Sequence, residues 1–270
     1  MTSNAAWLAR EPFTLVLSSG FFGFFAHTGV LLGLEAAGLS ARRVIGVSAG
    51  AIAGGLWASG IPASELAAAL HELRRADFWD PSWRGWGRDD DPGTRLGLLR
   101  GRKLDRLLVE LLGPTGVDRI EDCVVPFIPV THDLLAVRTV AHREGPLRPA
   151  IRASAALPGM FGPVRVGGRL HADGGISDRS GLRALEPDER ALYHHLPRSR
   201  GTGLSRLVPG AGSEAADTRT TPSRRVLTID ELPRVAPHQL QRGPLAMARA
   251  REVTLRWLEL SPADLRPRRA

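Results

Sequence analysis

Between residues 13 and 60 the chain twice sets a short apolar run before a small-residue turn and a longer apolar stretch. Phe13-Thr14-Leu15-Val16-Leu17 is short, rich in β-formers and ended by Ser18-Ser19-Gly20, so it reads as a buried strand. Apolar positions across 26–37, with Gly38 as a stop, predict a helix after it. Val44-Ile45-Gly46-Val47 then reads as a second strand, and 49–58 as a helix of small apolar residues with Gly60 as its cap. This is a βαβ unit, and two parallel strands joined through a helix commit the chain to an α/β fold. Further helices are expected at 62–75, 102–112 and 244–260, and strands at 124–131, 138–141, 190–194 and 225–229. The alternation predicts a mostly parallel sheet covered on both faces. Residues 79–99 read as a long surface excursion, and 198–224, poor in apolar residues, as a flexible loop within one domain spanning 1–270.

Composition narrows the function classes. An apolar content of 43% supports an ordinary core, and the single Cys123 excludes an internal disulfide and any multi-cysteine metal site. No metal and no cofactor are expected. The first residues lack the pattern of a secretory signal, and no run approaches the roughly 20 apolar residues of a membrane span. The expectation is a soluble, cytoplasmic protein. The formal charge of +8 suits anionic surfaces, but an arginine-preferring genome explains it equally well. The arginines are dispersed, with one tight cluster at Arg266-Pro267-Arg268-Arg269, so no nucleic-acid partner is expected.

Gly46-Val47-Ser48-Ala49-Gly50 falls where the second strand turns into a helix. Gly-x-Ser-x-Gly needs its glycines because so sharp a turn forces the serine into a strained backbone, with room only for tiny neighbours. The turn lifts the hydroxyl above the sheet edge at a helix N-terminus, whose dipole favours a developing oxyanion. Among 30 glycines the pentapeptide also arises as a purely structural turn.

The loop Ser18-Ser19-Gly20-Phe21-Phe22-Gly23 fits a dinucleotide fingerprint poorly, since Ser18 replaces the first glycine and two phenylalanines crowd the turn. It fits better as an oxyanion hole, with backbone amides of Gly20, Phe21 or Phe22 aimed at an acyl oxygen and the rings at an apolar mouth. Phe24 and Phe25 read as core. A serine nucleophile also needs a base. Of the eight histidines, His27, His71 and the pair His194-His195 give no distinguishing signal. Asp173-Gly174-Gly175, after an apparent hairpin over 163–171, exposes an aspartate at a strand end, although on spacing alone such a turn is usually just a turn.

Three separated motifs coincide: LVLSSGFFGFFAHTGVLLGL at 15–34, the elbow at 44–54, and Arg152-Ala153-Ser154-Ala155-Ala156-Leu157-Pro158-Gly159-Met160-Phe161 running into Asp173-Gly174-Gly175. In order and spacing the chain resembles the patatin-like phospholipases over most of 12–180. The resemblance implies an α/β/α sandwich and a Ser-Asp dyad without histidine. It makes Ser48 the nucleophile, on an elbow formed with Gly46 and Gly50. Asp173 becomes the base, in a turn with Gly174 and Gly175. The oxyanion hole falls to Gly20, Phe21, Phe22 and Gly23, with Ala49. Two positions depart from the family pattern: Ser18 stands at its first glycine, and Phe22 where a basic residue is often found. The implied partner is a lipid ester substrate. A triacylglycerol or acyl-thioester hydrolase, or a catalytically weak lipid-binding relative, are the alternatives. Trp79, Trp83 and Trp86, interleaved with Arg84 and Arg88, suit transient membrane-surface association, with ordinary loop packing as the competing reading. The sequence leaves the oligomeric state open.

Overall fold

The computed structural model describes residues 2–81, 97–197 and 218–261. Trp83, Trp86, Arg84, Arg88 and most of the expected loop at 198–224 lie outside them. Helix α1 (Asn4–Arg10) opens on Ser3, whose Oγ accepts the Ala6 amide. Then come β1 (Thr14–Leu17), α2 (Phe24–Ala36), β2 (Arg43–Val47), α3 (Ala49–Ala58), α4 (Ala63–Glu72) and α5 (Arg75–Phe78). The middle of the chain supplies β3 (Gly97–Leu99), α6 (Arg102–Leu112), β4 (Phe127–Asp133), β5 (Arg138–Ala141) and α7 (Leu147–Ser154). It closes with β6 (Gly159–Phe161), β7 (Val164–Val166), β8 (Arg169–Asp173), β9 (Ala191–His195), β10 (Arg224–Thr228) and α8 (Gly243–Glu259).

Eight of the described strands form one sheet in the order β10-β9-β1-β2-β4-β8-β7, with β5 also paired to β4. The five from β10 to β4 are mutually parallel, while β5, β8 and β7 join antiparallel. Parallel strands are apolar on both sides because both faces are covered. Leu15, Leu17, Val44 and Phe127 face the main core, with residues of α2, α3, α7 and α8. Val16, Ile45, Val47, Ile128 and Val130 face a second cluster, packed against Leu182, Ala184 and Leu185. Register places Leu17 opposite Gly46 and His194, and Val47 opposite Val130. The C-terminal ends of the parallel strands therefore share one edge, where open α/β sheets bind their ligands.

Several boundaries moved. The strand expected at 124–131 begins at Phe127, because Pro126 interrupts the run and the Val125 amide goes to the Ala58 carbonyl (3.0 Å). It continues to Asp133 because β5 and β8 supply partners there. The helix expected at 62–75 breaks at Leu73, which is extended, and restarts where Asp77 accepts the Arg74 amide (2.7 Å). Four elements have no counterpart in the sequence reading: α1, the strands β3 and β6 of a small parallel sheet, and α7. Helix α7 carries Pro149 in its first turn, where backbone amides have no intrahelical acceptor to lose.

Candidate active site

Ser48 joins β2 to α3 with φ 55° and ψ −116°, a left-handed φ that a non-glycine residue holds only where its surroundings impose it. The glycines around it are sterically required. A Cβ on Gly46 would lie 2.6 Å from the Gly50 carbonyl oxygen, and one on Gly50 would lie 2.2 Å from that of Leu17. The backbone is held from a third side: the Ser48 amide donates to Ser154 Oγ (2.9 Å), which in turn donates to the Val130 carbonyl (2.6 Å). Ser154, the last residue of α7, thus ties the elbow to the neighbouring strand.

The Ser48 hydroxyl donates to Asp173 Oδ2 at 2.7 Å. Asp173 ends β8, paired opposite Thr131, and its other oxygen, Oδ1, accepts the Gly175 amide (2.7 Å). That bond fixes the carboxylate plane and leaves Oδ2 to the serine. Gly174 lies against the Val130 carbonyl, closing the turn onto β4. Asp173 is buried, and burial pushes its carboxyl up from 3.8 to about 6, against the Ser48 and Gly175 hydrogen bonds and the nearby Arg179 charge, which lower it. Among the described residues no histidine hydrogen-bonds Ser48. His27 and His194 bond to each other through Nδ1 (2.8 Å), and His27 Nε2 meets the Ser18 carbonyl (2.8 Å). A carbonyl only accepts, so His27 carries its hydrogen on Nε2 and takes the His194 Nδ1 hydrogen. Burial holds His27 down to about 4 and His194 well below its ordinary range, so both are neutral at pH 7.

The loop above Ser48 is a tight turn in which the Gly23 amide donates to the Gly20 carbonyl (2.9 Å). Gly23 is thereby committed to the turn, which narrows the expected oxyanion donors. The amides of Gly20, Phe21, Phe22 and Ala49 have no acceptor among the described residues. Phe22 holds φ 53° in the turn, with its ring against Phe21, Phe24 and Phe78 at centroid distances of 4.8, 5.7 and 5.5 Å. Ser18 anchors the loop's base: its Oγ accepts the Leu196 amide (2.9 Å) and its own amide donates to the His194 carbonyl (3.3 Å).

Ser48 and Ala49 stand at an apolar cleft of about 840 Å³, counting its open mouth. Ile52 and Leu56 of α3, Leu70 and Leu73 near α4, Leu104, Leu107, Leu108 and Leu111 of α6, and Met160 and Phe161 of β6 line it. Phe25 is core as expected, but Phe24 is half-buried and on the cleft wall, because α2 starts at the loop and turns that ring inward.

Residues 15–185 match the family described as Patatin-like phospholipase. The chain belongs to the patatin-like phospholipase family. An uncharacterized NTE family protein of Mycobacterium tuberculosis is 35% identical over 166 residues, covering 61% of this chain and 42% of that protein. A second from the same organism is 29% identical over 252 residues, covering 85% of this chain and 41% of its own length. The chain thus spans about two fifths of these relatives. Among solved structures, VipD from Legionella pneumophila superposes with a TM-score of 0.56 at 14% identity, over 92% of this chain and 67% of that one, a likeness of fold. For this patatin-like chain the two departures have local explanations: the Ser18 side chain supplies a bond that a glycine has no atom to make, and Phe22 joins an aromatic cluster. Ser154 lies within the motif at 152–161, but its bond to Ser48 spans 106 residues and leaves no local sequence signal.

Proposed function

We propose that this chain is a serine acyl hydrolase in which Ser48 and Asp173 cleave the acyl ester of a lipid. The observation carrying the reading is the 2.7 Å hydrogen bond from the hydroxyl of Ser48, a residue that lines an apolar cleft, to a buried carboxylate. Asp173 takes the hydroxyl proton as Oγ attacks the ester carbonyl. The amides of Gly20, Phe21, Phe22 and Ala49 are the candidate donors to the oxyanion. Collapse passes the proton to the leaving alcohol and leaves an acyl-serine, and water deprotonated by Asp173 then frees the fatty acid. A base pushed up to about 6 is better matched to neutral pH than an ordinary aspartate.

The cleft supports an acyl chain as the substrate's buried part. From Ser48 to Leu56 along α3 is roughly 12 Å at 1.5 Å per residue, the reach of a medium-length chain with α6 leucines along its side. The protein would meet such substrates through transient contact with a lipid surface. The test is a panel of phospholipid, lysophospholipid, triacylglycerol and acyl-thioester, run with the wild type and the Ser48→Ala and Asp173→Asn variants. Hydrolysis of an oxygen ester that both variants lose while folded is expected. Full activity in either folded variant overturns the dyad, and turnover of the thioester alone overturns the substrate class.

A further inference from the structure

The hairpin between β4 and β5 ends in Leu134-Leu135-Ala136-Val137, with Leu134, Leu135 and Val137 exposed by 40%, 76% and 74%. This apolar tip is built into the fold. Asp133 Oδ1 accepts the Leu135 and Ala136 amides (both 2.9 Å), Oδ2 holds Arg169 (2.5 Å), and the Leu134 amide donates to the Leu170 carbonyl (3.0 Å). Val137 sits at φ 50°, where a β-branched residue is strained and a glycine would be relaxed. With its side chain three-quarters exposed, packing inside the protein does not offset that strain. A strained, preformed and solvent-facing apolar turn points to something outside the chain.

Its position indicates what. Val130 of β4 lies beside Val47, the residue before Ser48, so Asp133 stands three residues, roughly 10 Å, further along the sheet edge that carries Ser48. β8 runs antiparallel from the same tip, which brings the Gly167-Gly168 turn beside it. Arg138, Arg165 and Arg169 are exposed around this end. Asp133 neutralises Arg169, while neither Arg138 nor Arg165 is in an ion pair with a described residue, leaving a net positive rim around an apolar point. Apolar side chains within cations are complementary to an anionic lipid surface, with acyl chains below and phosphates at the rim.

We propose that residues 134–137 form an insertion finger that seats the protein on an anionic lipid surface, with Arg138 and Arg165 at headgroup level and the Ser48 cleft turned towards the lipid. The choice of a lipid surface over a protein partner rests on the acyl hydrolase reading above.

The test compares the wild type, a Leu135→Ser/Val137→Gly double variant and an Arg138→Glu/Arg165→Glu double variant. Each is co-sedimented with pure phosphatidylcholine vesicles and with vesicles that also contain phosphatidylglycerol. The wild type is expected to bind the phosphatidylglycerol vesicles, and the apolar double variant to bind about tenfold more weakly or worse, from the burial of a leucine-sized side chain. The arginine variant should lose binding to the anionic vesicles alone. Val137→Gly should not lower Tm, since it relieves strain, and a dissolved short-chain aryl ester should be hydrolysed equally by all three proteins. Unchanged binding of the apolar variant, or no binding by the wild type, overturns the finger. So does light scattering that shows a wild-type dimer becoming a monomer in the variant, which would make a second copy the occupant. Vesicle binding through the tip without hydrolysis of the dissolved ester would uphold the finger and overturn the dyad.

Discussion

Replacing Asp173 with asparagine should abolish turnover while stabilising the fold, and the size of the gain follows from burial. The carboxyl is raised from 3.8 to about 6, so the folded protein favours its neutral form. That preference stabilises the protein in full below the unfolded value, and is lost as pH rises through the folded one. At about 1.4 kcal/mol per unit, the loss is about 3 kcal/mol at pH 8, most of it between roughly pH 4 and pH 7. Asparagine carries no charge to desolvate. Its Oδ1 still accepts the Gly175 amide, and its Nδ2 donates to Ser48 Oγ, so the local bonds survive with one reversed. Denaturant melts of both proteins at pH 4 and pH 8 isolate the effect, because contributions independent of pH cancel between the two. Asp173→Asn should gain about 2–3 kcal/mol on the wild type between those pH values, or several degrees of Tm at pH 8. A stability difference constant with pH, or a wild type that gains on the variant towards pH 8, would refute the claim that burial raises Asp173.

On the proposed mechanism the same carboxyl would set the pH dependence of catalysis: kcat/KM on a dissolved aryl ester should rise about tenfold per pH unit below 6 and level above it, read from a pH–rate profile. Ser154→Ala removes the acceptor of the Ser48 amide and should cost about 1–3 kcal/mol by urea melt, with kcat lowered and KM little changed. Ile52→Trp fills the cleft one helical turn past Ser48 and denies burial to several methylenes, each worth about 0.8 kcal/mol. A p-nitrophenyl ester series should then show decanoate losing about a hundredfold in kcat/KM while butyrate is nearly unaffected.

What the sequence discloses here is what acts locally. The β1-α2-β2-α3 unit was legible because each element carries its own period and stop, and α3 runs from Ala49 to Ala58 as read. The elbow was legible too, because its glycines are packing requirements within five residues. Asp173 was different: as residues in order it was a turn, and only the resemblance gave it a role, since its partner lies 125 residues away. Ser154 carries no signal for the same reason, and Phe24 reads as core because its distance from a cleft wall built by α6 is not a property of its neighbours. Val124 misled through composition: it is apolar and β-branched, yet 71% exposed in a loop held by the Ala58 carbonyl.

The most direct test is labelling by a fluorophosphonate, which reacts with a serine made nucleophilic by its base. Peptide mapping by mass spectrometry should find the label on Ser48, with the rate in Asp173→Asn reduced by about a hundredfold or more. A label on another serine, or an undiminished rate in folded Asp173→Asn, would contradict the dyad.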